Sequence, residues 1–156
     1  MKKIVFLFFA LLLTNLVIGQ ETFQIGVLIY KVTSENTVEV NDCETSATSV
    51  IIPENVINPN NGINYNVTSI GYKAFYSCYN LSSIEIPNSV TQIGANAFVS
   101  CTTMTNITIP NSVTTIGNNA FQGCNNLSSI TLSNTLNSIG NNTFGNCINI
   151  TTIVIP

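Results

Sequence analysis

The 156-residue chain contains no histidine. That removes Ser-His and Cys-His nucleophile pairs, histidine metal sites and histidine acid-base chemistry in one step. Basic residues are almost as scarce, being only Lys2, Lys3, Lys31 and Lys73. Duplex binding needs clustered Lys and Arg to displace counterions from phosphates, so nucleic acid is not expected as a partner. From Ile86 to Pro156 there is no charged residue at all. Asn, Ser and Thr must keep that half in solution, and such a surface binds through neutral hydrogen bonds rather than charge steering. The carboxylates are Glu21, Glu35, Glu39, Asp42, Glu44, Glu54 and Glu85, and the only close pair, Asp42 and Glu44, flanks Cys43. Glu85 reads as a solvated acid on a strand rather than half of a glycosidase-like dyad. Phosphate-cradling and calcium-loop patterns are absent too. No catalytic residue, metal or cofactor is assigned, and the chain is not expected to be an enzyme.

What is present begins with Met1-Lys2-Lys3, the apolar stretch Ile4 to Leu13, and Val17-Ile18-Gly19 before the polar Gln20. This is the pattern of a secretory signal peptide over residues 1–19, cleaved after Gly19. The apolar run is shorter than the roughly 20 residues of a spanning helix, so no transmembrane helix is expected after cleavage. Gln20, rather than Cys, stands at the first mature position, which argues against a lipoprotein. The expected location is secreted or at the cell surface, and the lysine-led, Phe-rich signal has a bacterial character.

The rest of the chain is dominated by a 23-residue period. Ile70-Gly71, Ile93-Gly94, Ile116-Gly117 and Ile139-Gly140 recur at that step, as do Phe75, Phe98, Phe121 and Phe144. Cys78, Cys101, Cys124 and Cys147 keep it, and so do Leu81, Met104, Leu127 and Ile150. In Ser83-Ile84-Glu85-Ile86 apolar and polar residues alternate as in a half-buried strand, and Pro87 ends the ladder. The spacing of Ala97, Cys101 and Met104 predicts a short helical turn. The glycine after each repeated Ile suits a tight turn. One coil cannot bury its own apolar face, but stacked coils can, since like residues meet in rows. About six large apolar side chains per coil, at ~1.5–3 kcal/mol each, must offset the ordering of the backbone. Asn88, Asn111 and Asn134 form one polar row, and Asn96, Asn119 and Asn142 another, where amides can donate and accept along the stack.

Units such as Ile86-Pro-Asn-Ser-Val-Thr-Gln-Ile-Gly-Ala-Asn-Ala-Phe98, followed by Cys101, resemble the BspA-like leucine-rich repeats of bacterial surface proteins. The resemblance covers roughly 68–156. It implies a solenoid and a role in surface display or adhesion to host or matrix proteins, without naming a ligand. The expected fold is a β-rich α/β solenoid of about four 23-residue coils over 68–156, the last incomplete. Residues 20–67 lack the period but are strand-rich, with a turn at Asn58-Pro59-Asn60-Asn61-Gly62, and read as a β-rich N-terminal cap. The chain stops at Pro156 on an expected strand, which leaves Ile153 to Ile155 as an open edge. Either more chain follows or a partner covers it, and an open edge of this kind suits end-to-end contact at the C-terminal coil.

Four of the five cysteines share one apolar slot and are expected to be buried free thiols acting as small hydrophobes, although a secreted chain also admits disulfides. Cys43 has no periodic counterpart and is expected to be the exposed thiol. For binding, the outward strand positions form a panel: Ser83 and Glu85, Asn106 and Thr108, Ser129 and Thr131, Thr152 and Val154. Tyr72, Tyr76 and Tyr79 form a second candidate, since exposed aromatics stack on sugars or anchor protein partners. The expected function is a non-catalytic secreted or cell-surface module that binds a host or matrix protein or a glycan. The alternative is a display stalk or accessory region of a larger secreted protein.

Overall fold

In the repeats the backbone is held less by regular secondary structure than by bonds between equivalent residues of neighbouring coils. A computed structural model describes residues 21–155, so the signal-peptide reading of residues 1–19 lies outside the described residues. The strands are β1 (Thr22–Ile25), β2 (Leu28–Val32), β3 (Thr37–Cys43), β4 (Ser49–Ile51), β5 (Asn55–Ile57), β6 (Asn64–Ile70) and β7 (Ser83–Glu85). They continue as β8 (Gln92–Ile93), β9 (Asn106–Thr108), β10 (Thr115–Ile116), β11 (Ser129–Thr131), β12 (Ser138–Ile139) and β13 (Thr152–Val154).

Each coil contributes one strand to each of two parallel ladders. The first ladder runs β6-β8-β10-β12, aligning Ile70, Ile93, Ile116 and Ile139. The second is formed by β9, β11 and β13 in one sheet and by β4 with β7 in another. At the N-terminal side β1, β2 and β3 form an antiparallel meander, turning at Gly26 with φ 57°, and β3 then pairs in parallel with β6. The meander thereby extends the first ladder. Its core holds Phe23, whose ring lies 5.5 Å from Tyr30 and 6.0 Å from Tyr65.

The rows read from the sequence are rows in space. Phe75 and Phe98 stack at 5.0 Å, Phe98 and Phe121 at 5.1 Å, and Phe121 and Phe144 at 5.7 Å. These separations match the spacing of adjacent strands, as they must when one residue per coil rides on the ladder. The cysteines form a parallel column. The thiols of Cys101, Cys124 and Cys147 donate to the carbonyls of Phe75, Phe98 and Phe121 at 3.2, 3.1 and 3.0 Å. All five cysteines are free, and only Cys147 is partly exposed. Cys43 departs from expectation, because it is 4% exposed at the end of β3. There its thiol donates to the Glu44 carbonyl at 3.6 Å, and without a 23-residue step the sequence gives no sign of this burial.

Two further expectations are corrected. The described residues contain no helix, so the short helical turns of the expected α/β solenoid are runs of tight turns instead. In the second coil the N–H groups of Asn96, Phe98 and Ser100 donate across to Asn118, Ala120 and Gln122. Those of Val99 and Cys101 turn back to Asn96 and Phe98. Asn96 and Ser100 are left-handed, at φ 58° and 62°, and a helix cannot propagate through such residues. The second correction concerns the glycines after the repeated Ile. They lie outside the left-handed region and serve close approach: a Cβ on Gly94 would lie 2.7 Å from the Gly71 carbonyl carbon.

Candidate functional site

The panel is set by strand alternation. Within β9 and β11 the central Ile107 and Ile130 point into the core, which turns Asn106, Thr108, Ser129 and Thr131 outward. Register then aligns them: Asn106 stands beside Ser129 and Ser129 beside Thr152, while Thr108 stands beside Thr131 and Thr131 beside Val154. Ser83 and Glu85 project from β7 and are exposed. A strand ending at Pro53 is legible in Val50 to Ile52, but the panel read from the sequence leaves β4 out. It pairs in parallel with β7, placing Ser49 beside Ser83 and Ile51 beside Glu85, and the Ser83 hydroxyl donates to Ser49 Oγ at 2.8 Å. Ser49 and Ile51 therefore extend the panel by one strand, with Ile51 68% exposed. The available signal is the ending Ile52-Pro53, which matches Ile86-Pro87, since the apolar run Val50-Ile51-Ile52 shows no alternation of its own.

The panel is interrupted once. Between β7 and β9 no ladder forms, and a cavity of about 360 Å³ opens there, lined by Ser83, Ile84, Glu85, Ile86, Asn106, Ile107, Thr108 and Pro110. Ile84 and Ile86 are half-buried at this gap, whereas the equivalent Ile107 and Ile109 are buried.

The tyrosines lie elsewhere, in the turn segment between β6 and β7, and all three are exposed. Tyr72 and Tyr76 hold Lys73 between them, its Nζ 5.2 Å and 4.8 Å from the two ring centroids. Tyr72 also borders a groove of about 280 Å³ with Glu39, Ser69 and Gln92. The other cation, Lys31, pairs with Glu39 at 3.4 Å across β2 and β3. Among the described residues no cluster of three metal-ligating side chains occurs, and no helix is long and apolar enough to cross a membrane.

Comparison with known proteins places this geometry in context. The family model of the BspA type leucine rich repeat region matches residues 43–156 in six copies. A leucine-rich repeat protein from Bacteroides capillosus shares 27% identity and superposes with a TM-score of 0.77, over 86% of this chain and 98% of that one. One from Bacteroides ovatus shares 36% identity at a TM-score of 0.74, over 85% of this chain and 37% of that one. A leucine rich cell surface protein from Faecalibacterium prausnitzii shares 24% identity at a TM-score of 0.66, covering 87% and 43% of the two chains. No curated protein sequence matches the chain.

Proposed function

The chain belongs to the BspA-type leucine-rich repeat family, and from that membership we propose that it is a non-catalytic bacterial binding module, secreted or displayed at the cell surface. It recognises a host or matrix protein or a glycan through the panel that runs from β4 to β13. The observation that carries this reading is the row of outward Ser, Thr and Asn side chains, in register on successive strands and free of charge beyond Glu85. Solenoids use such repeated faces for binding because each coil adds the same contact at a fixed spacing. The export pattern of residues 1–19 supports the location, as does the surface description of the similar Faecalibacterium protein.

A second reading, a display stalk or accessory region of a larger secreted protein, is favoured by one observation. The chain spans 37% and 43% of the Bacteroides ovatus and Faecalibacterium proteins it resembles.

The test is a double substitution, Thr108→Lys with Thr131→Lys, which sets two like charges side by side on β9 and β11 while leaving the buried rows alone. Binding to immobilised matrix proteins and to a glycan array is measured before and after. Loss of binding with an unchanged thermal unfolding profile is the expected result. Full retention on every surface ligand, with the fold intact, defeats the panel assignment. Binding by neither protein at all favours the stalk.

A further inference from the structure

The gap in the panel differs from every other junction of the second ladder. At the neighbouring junctions Ile109 donates its N–H to Thr131 at 2.8 Å, Leu132 to Val154 at 2.8 Å, and Ser128 to Thr105 at 2.9 Å. Among the described residues the corresponding bonds from Ile86 to Thr108 and from Thr105 to Ser82 are not made. Yet the same two coils are locked on their other sides. Ser69 and Ile70 pair with Gln92 and Ile93, and the Lys73, Phe75 and Ser77 N–H groups donate to Ala95, Ala97 and Val99. The opening is thus confined to the panel face, where backbone donors and acceptors stand beside an apolar floor of Ile84, Ile86 and Pro110.

We infer that this cleft between β7 and β9 is a subsite for a neutral sugar residue, held by Glu85 and Asn106 on its two walls. The inference rests on the panel being the binding face and names its ligand class. Three features select a sugar. First, an inserted peptide strand needs two ladder spacings, about 9.6 Å, whereas Cα atoms of β7 and β9 still approach within 8 Å of each other. Second, the walls supply hydroxyls, an amide and one carboxylate, which together accept from and donate to vicinal hydroxyls, while the aliphatic floor packs against the C–H face of a ring. Third, anionic glycans are disfavoured. Glu85 repels them, and the two lysines among the described residues are held elsewhere, one by Glu39 and one between tyrosines.

The probe is an array of neutral, sialylated and sulfated oligosaccharides, with pentalysine peptide as a cationic comparator. Binding of neutral members alone is expected. Glu85→Gln is expected to weaken the best neutral ligand about tenfold or more, since a hydrogen bond to a charged group is among the stronger ones, and Asn106→Ala, which removes a neutral amide, about fivefold; both positions are exposed. Glu35→Gln, at an exposed position between β2 and β3 and off the panel, leaves it unchanged, and circular dichroism verifies the fold of each variant. The inference is overturned by preference for sialylated or sulfated glycans, or by neutral binding that both cleft variants leave intact. It is equally overturned by a Glu85-dependent affinity for pentalysine with no neutral glycan bound. If no glycan binds but a matrix protein does, and the Thr108→Lys/Thr131→Lys pair abolishes that, the panel stands and the sugar subsite falls.

Discussion

A Cβ added to Gly117 would lie 2.4 Å from the Ala95 backbone nitrogen, whereas at Gly123 its nearest neighbour would be Ser100 Oγ at 3.4 Å. The same substitution therefore fails for two reasons. Gly117→Ala forces two coils apart and should cost several times more than Gly123→Ala, whose penalty of about 1 kcal/mol comes from φ 72° alone; urea unfolding of the pair tests the ratio. Phe98 is fully buried between two stacked rings, and Phe98→Ala should cost ~3–5 kcal/mol by the same measurement. The thiols give a pH signature. The neighbouring Cys101 thiol and burial push Cys124 from 9.0 up to about 12, and burial does the same to Tyr30, from 10.0 to about 12. Both groups stay protonated in the folded chain while the unfolded chain ionises, so the unfolded state binds fewer protons above pH 9. Stability is then fully present below pH 9 and falls as pH rises toward about 12. Denaturant midpoints that stay flat across that window would contradict it.

Among the elements, the coil register was legible because Ile70, Phe75, Cys78 and Leu81 each repeat at one step, and a row of like residues leaves little choice of neighbour. The outward residues of β7, β9, β11 and β13 followed from alternation alone. The turn runs were not legible, since the three-and-four spacing of Ala97, Cys101 and Met104 fits a helix as well as a stack of turns. What decides between them is the left-handed backbone at Asn96 and Ser100, and non-glycine residues do not announce that conformation. Equally hidden was the break between β7 and β9, because Ser83-Ile84-Glu85-Ile86 and Asn106-Ile107-Thr108-Ile109 carry one pattern. The Asn row earns part of its expected role: Asn142 Nδ2 donates to Asn119 Oδ1 at 3.0 Å, while Asn96 and Asn119 also take the positive φ that asparagine tolerates.

For the molecule as a whole, charge is segregated along the solenoid. All seven carboxylates lie at or before Glu85, and the coils after it carry neither acid nor base. A ligand that lies along β9, β11 and β13 therefore meets a neutral face, with Glu85 the only charge on the panel and the acidic segment at one end. Coulombic steering from that segment is screened over roughly 8 Å at physiological salt, shorter than two coil spacings. Hydrogen bonds and apolar contact must then supply the affinity, and these respond little to ionic strength. Raising salt from about 50 to about 500 mM should shift the dissociation constant of a panel ligand by no more than about twofold. A steep loss across that range would mean that the ligand is held by the acidic N-terminal segment. Surface plasmon resonance on the wild-type chain and the Glu85→Gln variant separates the two cases. A panel ligand keeps its flat salt response in both, whereas a ligand of the acidic segment keeps a steep one.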